Sequence, residues 1–174
     1  MILGLDVSTS ITGVTILDKE GKTLCCEAWD LRKYKNFFQK IKETQRRMGE
    51  LRSRFPDTKN IYIEQSLQAF RPGFSSAKTL LTLAKFNGIV SWLVCEIYRI
   101  EPEYIGASTA RRLCDIKVPR GQKAKKVVLE FLLDNESDFE IEYTKHGNPK
   151  PESYDRADSL VIAKAGYKLW KEKN

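Results

Sequence analysis

Three short runs of apolar and β-branched residues at the start of the chain constrain its fold most strongly. They are MILGLDVS, GVTILD and TLCCEAWDL, and the short segments TSIT and KEGK separate them. Connections as short as these join strands that lie side by side and run in opposite directions. The beginning of the sequence therefore predicts three antiparallel strands in a meander.

Helical and strand-like patterns alternate along the rest of the chain. The predicted helices lie at 33–55, 76–100, 108–114, 123–133 and 154–170, and the strands NIYIEQ and EYIGAS lie between them. Strands that are joined through helices lie parallel in one sheet. We therefore predict an α/β fold in a single domain over 1–174. Its mixed five-stranded sheet has three antiparallel strands, then parallel strands, and helices flank it.

The helix predicted over 76–100 is unusually apolar and leaves little polar surface. Such a helix is either buried on most sides within the monomer or shared with a second subunit, and the sequence leaves both alternatives open. No window of the chain has about eighteen uninterrupted apolar residues, so we expect no membrane partner. The first residues lack the features of a signal peptide, which favours a cytoplasmic protein.

Two acidic residues stand at the ends of predicted strands. Asp6 in ILGLDVS and Glu64 at the end of IYIE both follow mostly apolar residues of strand type. Acidic residues are depleted from strands, especially buried ones, so each placement carries a cost that something must offset. Ligands collect at strand ends in sheets of this kind. The two carboxylates therefore indicate a functional site.

Asp155 and Asp158 are three residues apart and share one face of the last predicted helix. Carboxylates near a helix start also interact favourably with the helix dipole, so a purely structural role stays open. If the first turn of this helix meets the strand ends, the carboxylates repel one another unless a cation neutralises them. Oxygen ligands select Mg²⁺ or Mn²⁺, and two such ions about 4 Å apart suit phosphodiester hydrolysis.

The charge balance favours a polyanionic partner, because 30 Lys and Arg residues stand against 23 Asp and Glu residues. A basic segment provides candidate DNA-binding residues: Arg111, Arg112, Lys117, Arg120, Lys123, Lys125 and Lys126. A solvent-exposed helix face without a DNA-binding role is the alternative interpretation of such a basic segment. A structural zinc site would lack a plausible ligand set, because the four cysteines lack ligand spacing and His146 is the single histidine.

Several motifs in this order and spacing resemble the RuvC family of Holliday junction resolvases, which have an RNase H-like fold. They are ILGLDVSTSITGVTIL, IYIEQSLQAF, KTLLTLAKFNGIVSWLV, GASTARRLCDIKVPRGQKAKKVV and YDRADSLVIAKAGY. The resemblance implies a Mg²⁺-dependent homodimer that nicks two opposed strands of a four-way DNA junction. The long apolar helix over 76–100 becomes the dimer element, and a divergent phage or organellar member is expected.

The resemblance also implies roles for individual residues. Asp6, Glu64, Asp155 and Asp158 correspond to metal ligands for two ions per site, and Lys123 corresponds to a catalytically important lysine near the scissile phosphate. Arg111 is a second candidate for that role. The loop SLQAFRPGFSS corresponds to a segment in which an aromatic residue stacks on a junction base.

This sequence departs from the family in two motifs. Leu67 occupies the position nearest the stacking aromatic, and the rings follow at Phe70 and Phe74. Either Phe70 takes the stacking role or the loop works differently, and a core position is an equal alternative for each ring. Val7 and Ser8 replace a common Pro-Gly pair.

The sequence leaves other functions open besides a junction resolvase. They are a nuclease for other branched DNA or for RNA, a non-catalytic junction-binding module, and an actin-like or sugar-kinase ATPase. The last class needs two domains and a second glycine-rich phosphate loop.

Overall fold

The protein is described by a computed structural model over residues 1–65 and 76–173. The strands are β1 Ile2–Asp6, β2 Ile11–Leu17, β3 Thr23–Asp30, β4 Asn60–Glu64 and β5 Glu103–Ile105. The helices are α1 Phe37–Arg54, α2 Ala77–Tyr98, α3 Ala107–Leu113, α4 Ala124–Asn135 and α5 Glu152–Lys173. The strand order is β3-β2-β1-β4-β5, with β1 to β3 antiparallel and β4 and β5 parallel to β1. The predicted mixed sheet is confirmed.

Helices cover both faces of the sheet, and strand periodicity decides which residue faces which layer. Ile2 of β1 packs in the core beneath α3, α4 and α5, whereas Leu3 and Leu5 pack in the core beneath α1 and α2. Successive side chains of a strand point to opposite faces. Ile2, Gly4 and Asp6 therefore share the face that α5 covers.

Close backbone contacts hold α5 against the sheet. A Cβ atom built on Gly4 would lie 2.5 Å from the backbone nitrogen of Ala163, and one built on Gly13 would lie 1.9 Å from the backbone oxygen of Asp155. Glycine is the residue that permits such an approach. These contacts fix both the height of α5 above the sheet and its position along the strands.

The first helix begins four residues later than the sequence pattern predicts, at Phe37. Asn36 is the reason, because its side-chain oxygen accepts a hydrogen bond from the Phe38 amide while the Gln39 side chain accepts one from the Asn36 amide. This reciprocal cap satisfies amides that the first turn leaves free. The preceding residues 32–35 therefore lie outside the helix.

The second helix has a buried side and an exposed apolar side. Phe86, Val90 and Val94 are buried against the sheet and α1, whereas Leu81 is 63% exposed and Trp92 is 60% exposed. By length and composition alone α2 is apolar enough to cross a membrane, with 33% of its most apolar window buried. A core helix of a soluble protein passes the same test, so the expectation of no membrane partner stays a prediction.

Candidate functional site: a carboxylate cluster at the strand ends

The C-terminal ends of β1 and β4 bring Asp6 and Glu64 to adjacent positions. The strands are parallel neighbours with Leu5 paired to Ile63, so the next residue along each strand is one of the two acids. Tyr62 packs on the same face as Ile2, and residues two apart share a face, so Glu64 points toward α5 as Asp6 does. The sheet geometry therefore gathers the two carboxylates at one edge.

The first turns of α5 bring the other two carboxylates to this edge. Gly13 pairs with Asp6 across β2 and β1, and the backbone of Asp155 lies directly over Gly13. The side chain of Asp155 is 15% exposed and that of Asp158 is 17% exposed. The structure thus brings together all four acidic residues that the sequence singled out, and their role as metal ligands stays a prediction.

Burial raises the pKa of every member of the cluster, and repulsion by other carboxylates adds to it at Asp6, Glu64 and Asp155. Burial, then the charge of Asp158, raises the pKa of Glu64 to about 7. Burial raises the pKa of Asp155 to about 6 even though Lys125 opposes it. Burial also raises the pKa of Asp6, with a further contribution from Glu64, and burial raises that of Asp158. Carboxylates that interact in this way are in electrostatic contact.

Lys125 of α4 forms salt bridges with two members of the cluster. Its ammonium nitrogen lies 3.3 Å from Oδ2 of Asp158 and 3.7 Å from Oδ1 of Asp155. Burial lowers the pKa of Lys125, but Asp158, Asp155 and Asp6 outweigh burial and the pKa is raised overall. The sequence placed Lys125 among the DNA-binding residues and preferred Lys123 as the catalytic lysine. Lys123 is the exposed N-cap of α4, and its catalytic role stays a prediction.

The donor set fits a hard divalent cation, although the side chains as they stand do not enclose one. Within residues 1–65 and 76–173, no group of three or more histidine, cysteine, aspartate or glutamate side chains is arranged to hold a metal ion. All four cluster members nevertheless offer carboxylate oxygens, which Mg²⁺ and Mn²⁺ prefer. The raised pKa values indicate an excess of negative charge that such a cation would offset.

The basic segment lies beside the cluster on the α3 and α4 side. Arg111 is close enough to lower the pKa of Glu64 and of Asp158, against the larger effect of burial. Arg111, Arg112 and Lys117 line an adjacent cleft of about 400 Å³. Arg120 and Lys123 are exposed, and Lys126 is paired with Glu130 at 3.5 Å. The segment therefore presents several cations at the margin of the site, and DNA binding by them stays a prediction.

A second cavity of about 190 Å³ opens on the α2 side of the cluster, and sequence reasoning missed it. Asp6, Glu64, Ser8 and Gln65 line it together with Leu80, Leu83 and Asn87 of α2. The Asn87 side chain donates a 3.4 Å hydrogen bond to the backbone oxygen of Glu64. Asn87 is a polar residue within an otherwise apolar stretch of α2, and this departure from the pattern could have indicated the cavity. The predicted stacking residues Phe70 and Phe74 lie outside the described residues.

Comparisons with known proteins identify the fold through solved structures and not through sequence. No protein-family model matches the sequence, and no curated protein sequence matches it. Solved structures do match over nearly the whole chain. RuvC of T. thermophilus in complex with a Holliday junction substrate gives a TM-score of 0.68 at 15% identity, covering 98% of this chain and 94% of that one.

Two further structures agree with this match. Another Thermus thermophilus RuvC structure gives a TM-score of 0.63 at 17% identity, covering 99% of this chain and 96% of that one. The yeast mitochondrial Holliday junction resolvase Ydc2 gives 0.60 at 15% identity, covering 98% of this chain and 79% of that one. The resemblance predicted from the sequence is confirmed for the fold. This chain has the RNase H-like fold of the RuvC Holliday junction resolvases.

Proposed function

We propose that this protein is a structure-selective endonuclease that resolves four-way DNA junctions by paired nicks. The observation that carries the proposal is the convergence of Asp6, Glu64, Asp155 and Asp158 from three separate elements at one sheet edge. Burying like charges together destabilises a protein. A cluster of buried carboxylates therefore indicates a function that requires it. The proposed place of action is the cytoplasm.

The four carboxylates are proposed to hold two Mg²⁺ ions, with Mn²⁺ as a substitute. When bound, the ions supply an activated water and stabilise the charge that develops on the phosphate and on the departing 3′ oxygen. Asp6 is central in the cluster, because its pKa responds to Glu64, Asp158 and Asp155 together. This position suits a ligand shared by both ions.

The cations around the cluster are proposed to hold the DNA backbone. Lys125 contacts Asp155 and Asp158 in the protein alone, and divalent cations would release it to contact a phosphate. Arg111 lies beside Glu64 and Asp158 and is suited to the same phosphate. Arg112, Lys117, Arg120, Lys123 and Lys126 extend this basic surface. Phosphate contacts of this kind position DNA without reading its sequence.

Paired nicking requires two sites related by two-fold symmetry, so the proposed enzyme is a homodimer. The exposed apolar side of α2, with Leu81 and Trp92, is the proposed contact between subunits. Residues eleven apart on a helix lie almost directly above one another, so these two side chains share one side of α2, about 16 Å apart along its axis. The same helix lines the cavity beside the cluster through Leu80, Leu83 and Asn87.

The decisive experiment is a nicking assay on labelled four-way junction, fork, flap and duplex DNA with Mg²⁺, Mn²⁺ or EDTA. We expect the junction to be cut in opposed strands with either metal, and no cutting in EDTA. Asp6→Asn should lower the nicking rate by about three orders of magnitude or more and leave junction binding intact, because charge at the metal ligands is lost. The exposed Asp134 supplies a matched control, Asp134→Asn, which should cut normally.

Other outcomes of this assay distinguish the alternative functions. Metal-dependent cutting of forks or flaps in preference to junctions would reassign the substrate within branched DNA, and cutting of an RNA strand would reassign it to RNA. Full Mg²⁺-dependent activity of Asp6→Asn would remove the carboxylate cluster from the mechanism. Junction binding without nicking would show that the protein is a non-catalytic binding module and not an enzyme.

A further inference from the structure

A second cationic segment lies outside the machinery described so far. Residues 32–42 read RKYKNFFQKIK and contain five cations, three aromatic rings and no acidic residue. We name this stretch the basic-aromatic segment. Its first residues form the turn between β3 and α1, and its last residues form the first turns of α1. Cations interleaved with aromatic rings are the composition that binds single nucleic-acid strands.

The basic-aromatic segment is attached to the loop that follows Asp6. The ammonium of Lys40 donates a 2.5 Å hydrogen bond to the backbone oxygen of Thr9, and the amide of Leu31 donates a 2.8 Å hydrogen bond to the backbone oxygen of Ser10. These contacts place the segment at the same edge of the sheet as the carboxylate cluster. It lies on the α1 and α2 side, opposite the basic residues of α3 and α4.

Phe38 is the most exposed large apolar residue among those described, at 67%. Its ring meets the ring of Phe37 edge to face at 5.8 Å, and Phe37 meets Phe86 of the α2 core in the same way at 5.8 Å. The Asn36 cap fixes the backbone at this point. Phe38 is thus held in position from behind while its outer face is open to solvent, which is the arrangement that a stacking platform requires.

The cations of the segment differ in how far they are already engaged. Arg32 is paired with Asp30 and Glu152, and Lys33 lies 5.1 Å from the centre of the Tyr34 ring. Lys35 and Lys42 are exposed and form no salt bridge with any described residue. The nearby carboxylate of Glu43 is held by Arg46 and Arg47. Lys35 and Lys42 are therefore available to an external anion.

We propose that the basic-aromatic segment is a second nucleic-acid contact, in which Phe38 stacks on an unpaired base and Lys35 and Lys42 bind the phosphates beside it. The proposal rests on the proposed function, because it takes branched DNA with unpaired bases near the branch as the ligand. It adds a contact on the face of the sheet opposite the α3 and α4 cations. DNA that binds both sets of residues would pass over the carboxylate cluster, which lies between them.

Binding in EDTA tests the proposal without any nicking. Fluorescence anisotropy with a labelled four-way junction should show that Phe38→Leu weakens binding by about 5- to 100-fold, whereas Phe38→Tyr binds nearly as the wild type does. The matched control is Tyr143→Leu, because Tyr143 is 55% exposed outside the segment. A junction carrying 2-aminopurine next to the branch should lose fluorescence on binding wild-type protein and lose much less with Phe38→Leu.

The lysines are tested through the salt dependence of binding. The double variant Lys35→Ala, Lys42→Ala should lower the slope of log affinity against log salt by about 1.4 to 1.8, because two phosphate contacts are lost. The control is Lys19→Ala, Lys22→Ala in the β2–β3 turn, at the end of the sheet far from Asp6, and it should leave the slope unchanged.

The outcomes separate this inference from the proposed function. Unchanged affinity and 2-aminopurine signal in Phe38→Leu, with normal junction nicking by the wild type, would overturn the inference and leave the function standing. Loss of affinity in Phe38→Leu with no nicking by the wild type would support the contact and overturn the nuclease. Self-association that Phe38→Leu abolishes, with DNA affinity unchanged, would assign the segment to a protein contact. Wild-type protein that binds no DNA overturns both.

Discussion

The two longest helices, α2 and α5, have equal lengths of 22 residues and opposite relations to the sheet. The less apolar helix, α5, is the better buried one, because Ala157, Ala163, Ala165 and Gly166 let its backbone approach the strands. The more apolar helix, α2, leaves Leu81 and Trp92 in solvent. Side-chain size, and not apolarity alone, therefore determines how closely a helix approaches the sheet.

This difference assigns the two helices to different tasks. The close docking of α5 fixes the height of Asp155 and Asp158 over the strand ends, which a larger separation would take out of reach of Asp6. Leu81 and Trp92 on the exposed side of α2 stay largely in solvent among the described residues, and this side is available for contact with another molecule. Substitutions on α5 and its strand partners should therefore disturb stability and chemistry, and substitutions on the exposed side of α2 should disturb assembly.

The largest effect is expected where a glycine meets α5. Gly13→Ala should lower the free energy of unfolding by about 3 kcal/mol, because the new Cβ would lie 1.9 Å from the backbone oxygen of Asp155, which cannot rotate away. Junction nicking should fall with it, since the first turn of α5 must move. Urea unfolding measures the first effect and the nicking assay the second.

Gly88→Ala on α2 is the matched control for this substitution. Nothing lies within 4 Å of a Cβ built at Gly88, and the position is exposed in the helix. Alanine should raise the free energy of unfolding of the monomer by about 0.5 to 1 kcal/mol, because glycine loses more backbone entropy on folding. Equal effects of the two substitutions would contradict the contrast between the helices.

A smaller effect on the monomer, and a clear effect on assembly, is expected from the exposed side of α2. The double variant Leu81→Glu, Trp92→Glu should weaken self-association by about 100-fold or more, because two large apolar side chains lose their burial between subunits. The free energy of unfolding of the monomer should change by less than about 0.5 kcal/mol, as is usual for exposed sites. Sedimentation velocity over a concentration series measures the association.

The control for α2 is Leu24→Glu, because Leu24 is a partly exposed apolar residue on β3, with 43% exposure. It should leave association unchanged. The α2 variant should also convert paired nicks into slow single nicks, which a supercoiled cruciform plasmid reports as nicked circles in place of linear DNA. A wild-type protein that stays monomeric at every concentration would remove the dimer from the proposal.

Much of the fold followed from sequence because its signals are local. Short apolar runs placed Asp6 and Glu64 at strand ends, and the order of strands and helices predicted the mixed sheet. The identity of the lysine at the cluster did not follow, because Lys123 and Lys125 differ only in helical phase, and that phase depends on α4 beginning at Ala124. Asn87 was missed for a similar reason: its neighbour, the Glu64 backbone, is distant in sequence.

The last expected effect is a pH dependence of the carboxylate cluster, to which α5 contributes Asp155 and Asp158 and α2 contributes no carboxylate. Burial raises the pKa of Glu64 to about 7 and that of Asp155 to about 6, so the folded protein binds protons more tightly than the unfolded chain. Stability in EDTA should therefore be greatest near pH 4 and fall by about 1 to 3 kcal/mol as the pH rises to 8. Glu64→Gln should flatten this slope, and the exposed control Glu140→Gln should not. Urea unfolding at each pH measures the slope, and stability that rises between pH 5 and 8 would show that Lys125 already neutralises the cluster in full.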